Sequence, residues 1–381
     1  MIAEVDGVAS LHGMPSVRKA LLGEEQSSKT GTAKQYDEDV RALEVFAVQV
    51  VCHRIVRDWL GIRADVFCGH SLGEYAALVA AEGLTITAGA RLLCQRLASI
   101  RSHTTPSPGL LLALESSRDE ARAWADREPA TVIAAINAPQ QTVLSGPAEE
   151  IVRIREAATR EGTRTTLLHT DRSHHHHPLL TAAYLHYSAA VRPVQTQPLI
   201  SRVYTPVLRR TYVPDDDLSQ SLALQMILPV DFDQAVRDLY HDGVRTFIEC
   251  GLKDTLSTLI DATAPDARTV APFRSLQAIR QLQGRHTEMH ARTSTRRHTM
   301  SLDRDELIGG LKEIYARILE FPPESVTDDV DLEGELGVDS LQHRLALAEA
   351  AERWNVTLPQ DVPAPSPLTP TTVADYLLGS S

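Results

Sequence analysis

A serine between two glycines is the residue best suited to covalent chemistry. The segment Gly69-His70-Ser71-Leu72-Gly73 follows a short apolar run and precedes a helical pattern. Because glycine lacks a Cβ atom, this spacing allows a sharp turn from strand to helix that leaves the serine exposed. The backbone N–H of Leu72 and the helix dipole would stabilise an oxyanion when Ser71 attacks a carbonyl. The pattern predicts serine acyl chemistry, and a glycine-rich turn with an incidental serine is the alternative.

A serine nucleophile needs a proton acceptor with a pKa near neutrality, which favours histidine. The chain has 15 histidines, four of which run consecutively from His174 to His177 before Pro178. Four histidines also suggest a metal site. Side chains adjacent in sequence cannot all point one way, however, and carboxylate and thiolate ligands are lacking nearby, so we expect no metal.

Composition indicates a globular protein with more than one domain. The chain has 381 residues, of which 43% are hydrophobic, and no apolar run has the length of a membrane span. The first residues lack the basic start and apolar core of a signal peptide, so we expect a cytoplasmic protein without a membrane partner. The four cysteines show no C-x-x-C spacing and are expected to be buried free thiols.

Charge divides the chain into parts. The formal net charge is −12, and residues 301–381 hold 16 acidic against 5 basic side chains. This acidic C-terminal part is expected to be a module of its own. The polar segment 276–302 has no hydrophobic period and is predicted to be a linker. Its arginines lack interleaved aromatic residues, so we expect no nucleic-acid partner.

The hydrophobic periodicity predicts an α/β fold with two domains. Residues 1–35 are weakly patterned, whereas a helix over 39–59, a strand before Ser71 and helices over 74–81 and 86–100 indicate a three-layer core. Residues 109–170 show the order βαββαβ of a ferredoxin-like subdomain inserted in that core, which occupies about 35–108 and 171–275. Residues 303–379 predict a small all-α bundle of three or four helices.

Two motifs resemble those of known families. Residues 69–75, Gly-His-Ser-Leu-Gly-Glu-Tyr, resemble the nucleophile motif of malonyl-CoA:acyl carrier protein transacylases and polyketide synthase acyltransferase domains. Arg96 follows Ser71 by 25 residues, the spacing of the carboxylate-binding arginine in those enzymes. Gly337-Val338-Asp339-Ser340-Leu341 resembles the phosphopantetheine attachment motif of acyl carrier proteins. The resemblance implies an acyltransferase domain over 1–275, with an α/β-hydrolase-like core, and a four-helix carrier domain over 303–379.

The resemblance also implies roles for individual residues. Ser71 would take an acyl group from a CoA thioester, and Arg96 would hold the free carboxylate of a malonyl-type group. The family's His-Ala-Phe-His-Ser-Pro segment, aligned on Pro178, assigns the base to His176 and a substrate contact to His175. A shift of one position would assign the base to His177.

Further substrate contacts are implied for His70 and Leu72, and a base-orienting backbone carbonyl for Gln225. Because imidazole is bulky, His175 favours malonyl over methylmalonyl. The expected cofactor is 4'-phosphopantetheine, attached covalently to Ser340. The expected partners are malonyl-CoA or a related acyl-CoA, the chain's own or another carrier domain, a phosphopantetheinyl transferase and other synthase domains such as a ketosynthase. The process implied is polyketide or fatty-acid biosynthesis.

One family feature has no match in this chain. The family begins with a strand ending in Gly-Gln-Gly, which supplies the second oxyanion donor, and Gly7-Val8 and Gly13-Met14 are poor substitutes. The chain is therefore expected to be a piece of a longer synthase or an impaired transferase, since losing one donor costs ~10²–10³ in rate. A proofreading acyl hydrolase of the same fold and a non-catalytic scaffold that positions the carrier are the alternatives.

Overall fold

The computed structural model contains two compact units, Met1–His290 and Ala291–Ser381. The boundary between them and the predicted linker 276–302 lie outside the described residues. Those residues are 1–22, 31–103, 107–168, 174–192, 194–275, 304–319, 321–338, 340–354 and 367–379.

The first unit begins with helices that pack around one core strand. They are α1 (Ile2–Leu11), α2 (Val17–Leu22), α3 (Gly31–Arg54), a π-helical turn (Ile55–Trp59), the strand β1 (Val66–Cys68), α4 (Gly73–Ala80) and α5 (Ile86–Ser102). Apolar residues at helical spacing on α3, among them Leu43, Phe46 and Val50, are buried against α4 and α5. Thr85 caps α5 because its Oγ1 accepts a hydrogen bond from the Ala88 N–H at 3.0 Å.

The weakly patterned start of the chain contains structure that its sequence did not predict. Helices α1 and α2 form there, and Val5, Ala9 and Val17 are fully buried in the same core as α5. Both helices are short, so their periodicity is difficult to recognise. Packing of α1 against α5, and of α2 against α1 and α3, stabilises them.

The segment from 109 to 168 has the predicted βαββαβ order. Its elements are β2 (Gly109–Leu114), α6 (Arg118–Ala125), β3 (Val132–Ala138), β4 (Gln141–Pro147), α7 (Ala148–Arg160) and β5 (Thr165–Leu168). Ser117 and Glu120 form a capping box at the start of α6. The strand order is β5-β2-β4-β3, with all neighbours antiparallel, so both helices connect strands of one sheet. The strand β8 (Val230–Asp231) joins this sheet beside β3, in parallel.

The chain then returns to the core around β1. The remaining elements are a 3₁₀ turn (Pro178–Leu180), α8 (Thr181–Val191), β6 (Arg202–Thr205), β7 (Arg210–Thr211), α9 (Leu218–Leu224), α10 (Phe232–His241), β9 (Thr246–Ile248), α11 (Thr255–Thr263), β10 (Arg268–Val270) and a 3₁₀ turn (Pro272–Arg274). β1 pairs with β6 in parallel, and β6 pairs with β7. Within the described residues, β9 pairs only with β10, also in parallel. The strands of the core are therefore present there as two separate pieces of sheet.

The second unit is all-α. In its described part it contains α12 (Arg304–Leu319), a 3₁₀ turn (Pro323–Ser325), α13 (Ser340–Trp354) and α14 (Pro370–Gly379). Leu307, Leu311, Val373 and Leu377 are fully buried in its core. The described residues of this unit give three α-helices, within the predicted three or four. In the described part of both units, no helix has the length and apolar character needed to cross a membrane.

Candidate active site

Ser71 lies in a sharp turn between β1 and α4. Its φ is +50°, a left-handed conformation that is strained for a residue with a side chain. A Cβ atom on Gly69 would come within 2.2 Å of the Glu74 nitrogen, so only glycine fits there. Gly73 is less constrained, since its nearest neighbour, Gln49 Nε2, would be 3.6 Å away. The predicted elbow is present, and Gly69 alone of its two glycines is required sterically.

His176 lies opposite the serine. Its Nε2 is 2.8 Å from Ser71 Oγ, and its Nδ1 is 3.1 Å from the backbone oxygen of Leu228. A carbonyl can only accept, so Nδ1 carries the proton and Nε2 is left to accept from the serine hydroxyl. His176 also has a positive φ, +52°. The arrangement is that of a nucleophile and its general base.

A second backbone carbonyl beside the predicted one faces the base. The Leu228 carbonyl is 3.1 Å from Nδ1, and the backbone of Gln225, the residue predicted from the family alignment, also hydrogen-bonds to the ring. Gln225 ends α9, and the following turn carries the chain on to Leu228 beside the ring. The Gln225 backbone still favours the protonated ring of His176, and its side chain donates to Glu74 instead. Leu228 was not predicted, and it lies three positions after Gln225 in the same turn.

Burial and nearby positive charge keep His176 neutral. Burial is the largest cause, and with the charges of Arg96, His175 and His70 it lowers the pKa of His176 to about 3. A neutral imidazole can accept the serine proton at every pH well above that value.

Arg96 lies on α5 with 5% of its surface exposed. Burial raises the pKa of Tyr75 and of Tyr187, and the positive charge of Arg96 acts against that shift in both. Its Nε has no hydrogen-bond partner, and none of the ion pairs in the described part of the chain includes it. A buried guanidinium without a carboxylate is costly, so this position favours an anionic ligand.

The other predicted contact residues also lie near the base. His70 donates from Nε2 to Asn137 Oδ1 at 2.8 Å, and its ring packs edge-on against Phe232. Burial lowers the pKa of His70. The His175 N–H donates to Ser145 Oγ at 3.4 Å, and its ring is close enough to act on the pKa of His176. The Leu72 N–H makes no hydrogen bond within the described residues, so one oxyanion donor is available.

The remaining histidines of the run have structural partners or neighbours. His177 Nε2 donates to the Ala130 carbonyl at 2.8 Å, and its Nδ1 accepts from the Leu179 N–H at 2.9 Å. This fully used ring cannot serve as the base, which excludes the alternative register. The His174 ring is buried, and its centroid lies 4.9 Å from that of the His177 ring, with the two planes tilted by 46°. The described residues contain no group of three or more metal ligands.

Sequence reasoning missed a buried brace centred on Glu74. Glu74 is 1% exposed, and it accepts from Tyr212 Oη at 2.6 Å and from the side-chain amide of Gln225. Burial raises its pKa. The same turn receives a hydrogen bond from the His177 N–H at the Met226 carbonyl, 2.9 Å long. Glu74 therefore connects the helix that carries Ser71 to the turn that holds the histidine segment. The position of Glu74 directly after the elbow was the sequence signal that could have indicated this brace.

Comparison with known proteins assigns this site to a family. Residues 26–303 match the family model described as acyl transferase domain. The chain belongs to the acyl transferase family. Residues 310–362 of this acyltransferase match a second model, described as phosphopantetheine attachment site. The acidic module therefore has the sequence of a carrier segment.

The similar proteins are large synthases and transacylases. The acyltransferase is 28% identical over 261 residues to polyketide synthase GfsA of Streptomyces halstedii, covering 68% of this chain and 3% of that protein. It is 26% identical over 287 residues to the non-reducing polyketide synthase stmB of Aspergillus ustus, covering 73% and 14%. The chain thus spans a small part of these relatives.

Solved structures share the fold. A malonyl-CoA:acyl carrier protein transacylase from Xanthomonas oryzae superposes with a TM-score of 0.62 at 24% identity, over 70% of this chain and 85% of that one. The acyltransferase domain from the second module of the salinomycin polyketide synthase gives a TM-score of 0.62 at 23% identity, over 75% and 65%. Both show that the acyltransferase has their mixed α/β architecture.

The elbow allows a matched pair of substitutions. Gly69→Ala should destabilise the protein by about 1–3 kcal/mol, because its Cβ would collide with the backbone of Glu74. Gly73→Ala should be nearly neutral, because its Cβ has ordinary room. Chemical denaturation measures both free energies of unfolding. Equal effects of the two substitutions would contradict the role assigned to Gly69.

Proposed function

We propose that this acyltransferase moves a malonyl-type acyl group from CoA, through an ester on Ser71, to the phosphopantetheine thiol of an acyl carrier domain in polyketide or fatty-acid biosynthesis. The observation that carries the proposal is the 2.8 Å hydrogen bond between Ser71 Oγ and His176 Nε2, with the buried cation of Arg96 nearby. The Ser71–His176 pair supplies the acyl chemistry, and Arg96 selects an acyl group with a free carboxylate.

The reaction begins with Ser71. Its Oγ attacks the thioester carbonyl of the acyl-CoA while His176 Nε2 takes the hydroxyl proton, so that the ring becomes an imidazolium held by the Leu228 carbonyl. The Leu72 N–H stabilises the oxyanion. When the carbon–sulfur bond breaks, CoA leaves as a thiol with the proton from His176. The products are an acyl ester on Ser71 and a neutral histidine.

Arg96 has two roles in this scheme. Its guanidinium forms a bidentate pair with the terminal carboxylate of the acyl group. Because the site is buried, water cannot take the place of that carboxylate. The carboxylate also offsets the positive charge that helps to depress the pKa of His176. The histidine therefore becomes a stronger base when a dicarboxylic acyl group is bound.

The second half-reaction needs a thiol acceptor, which a phosphopantetheine arm supplies when it is attached to a carrier. Ser340 is the residue proposed to bear the arm, since it begins α13 within the residues 310–362 that match the phosphopantetheine attachment model. Gly337, with φ +70°, makes the turn that leads into this helix. His176 again holds and returns the proton. The assignment of the phosphopantetheine arm to Ser340 rests on the position of this serine at the start of a helix, after a glycine in the left-handed conformation.

The domain roles and partners are part of the proposal. Residues 1–275 form the transferase, 276–302 the linker and 303–379 the carrier. The relatives named as polyketide synthases support a setting with further synthase domains, a ketosynthase among them. A solved complex of a malonyl-transacylase with a type II polyketide acyl carrier protein supports a carrier partner. A phosphopantetheinyl transferase would modify Ser340.

The two alternative functions fit the site less well. A proofreading hydrolase that removes simple acyl groups has no use for the buried Arg96. A non-catalytic scaffold has no need of a serine and a histidine in strained conformations at hydrogen-bond distance.

Intact-mass spectrometry of the phosphopantetheinylated full-length protein after incubation with malonyl-CoA tests the proposal. We expect one malonyl group on Ser71 and one on the Ser340 arm. Ser71→Ala should lose both, whereas Ser340→Ala should keep the first alone. The proposal is wrong if the phosphopantetheinylated protein without substitutions carries no malonyl adduct, or if the adduct persists in Ser71→Ala.

The carboxylate pair gives a prediction about specificity. Arg96→Ala should slow acylation of Ser71 by malonyl-CoA by about 10–100-fold, because a charge-assisted hydrogen bond contributes ~1.5–3 kcal/mol. Acylation by acetyl-CoA, which has no carboxylate, should not fall. Arg91→Ala is the matched control, since Arg91 is an exposed arginine on the same helix. If Arg96→Ala slowed acylation by malonyl-CoA and by acetyl-CoA equally, Arg96 would only maintain the fold.

A further inference from the structure

Two histidines meet where the end of α5 packs against α8. His103 follows the last residue of α5 as its C-cap, and His186 lies in the middle of α8. Their ring centroids are 4.9 Å apart, and the ring planes are tilted by 43°. His186 is exposed and His103 is half-buried, so solvent reaches both side chains. Neither ring takes part in the proposed transfer reaction.

One serine of α5, Ser99, fixes the same tautomer in both rings. Its backbone oxygen is 3.0 Å from His103 Nδ1, and because a carbonyl only accepts, that nitrogen carries the proton. The Ser99 hydroxyl donates to the Gln95 carbonyl at 2.8 Å, so its oxygen accepts from His186 Nδ1 at 2.9 Å. Among the described residues, neither Nε2 has a hydrogen-bond partner. In its neutral form, each ring therefore has a free lone pair on Nε2.

The two free nitrogens are directed away from Ser99. In an imidazole ring the two nitrogens lie on either side of one carbon, and both Nδ1 atoms here face that serine. A metal–nitrogen bond of ~2.0–2.1 Å would place each ring centre ~3.2 Å from a shared ion, so that centroids 4.9 Å apart subtend an angle of about 100° at the ion. This angle is close to that of tetrahedral coordination. The spacing of the rings therefore fits two ligands of one ion.

The hydrogen bonds to Ser99 are of the kind that supports histidine ligands. A histidine that binds a metal through one nitrogen normally donates from the other, often to a backbone carbonyl, which fixes the tautomer and the orientation of the ring. His103 has such a carbonyl, and the Ser99 hydroxyl has the same role for His186. Neutral imidazole is a preferred ligand of zinc, copper and nickel ions.

We propose that His103 and His186 together bind a divalent transition-metal ion such as Zn²⁺ through their Nε2 atoms. The described part of the chain has no group of three or more metal-binding side chains, so water completes the coordination of the ion. The site is separate from the histidine run, in which His176 faces Ser71 and both nitrogens of His177 are already hydrogen-bonded.

An ion at this site would connect two helices that serve the reaction centre. α5 carries the buried Arg96, seven positions before His103. α8 begins directly after the 3₁₀ turn that follows the histidine run. A metal shared by the two rings would therefore hold the helix of the buried cation against the helix that follows the base.

A titration of the full-length protein with ZnCl₂, followed by NMR of the histidine ring nitrogens, tests the proposal. We expect the Nε2 resonances of His103 and His186 to move together with one dissociation constant, because both atoms bind the same ion. Both Nδ1 atoms should stay protonated, and EDTA should reverse the change. No acyl donor is added, so the result is independent of the proposed transferase activity.

Single substitutions assign the resonances and show whether the two rings share the ion. In His103→Gln or His186→Gln, the remaining ring should bind Zn²⁺ at least about tenfold more weakly, because the second ligand is lost. Ser99→Ala should also weaken binding, by about tenfold. His241→Gln, at an exposed histidine of α10, should change nothing. The proposal is wrong if neither Nε2 resonance moves at millimolar Zn²⁺, if the two rings titrate independently, or if the remaining ring keeps its affinity.

Discussion

The hydrogen bond between Ser71 and His176 is the interaction on which the rest of the site depends. Each partner has a positive φ, a conformation that costs of order 1–3 kcal/mol and persists only where the surroundings enforce it. The close approach of Gly69 to Glu74 fixes the serine turn, and the carbonyl of Leu228 fixes the ring. Glu74 connects the two through Gln225, so the nucleophile and the base are held as one unit although they lie 105 residues apart.

Much of the site could be predicted because its residues are fixed by local geometry. A turn between glycines specifies Ser71, whereas the family resemblance, aligned on Pro178, was needed to choose His176 within the histidine run. Arg96 required the spacing known from a family, since an arginine on a helix is usually exposed. The residues that were missed act across the fold: Leu228, Tyr212 and Asn137 reach the site only when distant segments pack together, and no local pattern reveals that.

The fold shows the same division between local and distant information. Strands and helices of the βαββαβ segment have strong periodicity and were predicted in the correct order. Helices α1 and α2 are short and were missed, because burial in the core that they share with α3 and α5 stabilises them more than their own pattern does. The division of the core strands into two pieces of sheet within the described residues could not be predicted from strand patterns, since pairing depends on which edges meet.

The most direct test of the central claim is an NMR titration of the ring nitrogens of His176, assigned with His176→Gln. Because burial and nearby charge lower its pKa to about 3, the ring should remain neutral at pH 5, with the proton on Nδ1 and an unprotonated Nε2. An ordinary histidine would be ~97% protonated at that pH. A titration midpoint near 6.5, or a proton on Nε2 in the neutral ring, would contradict the account of Ser71 and its base.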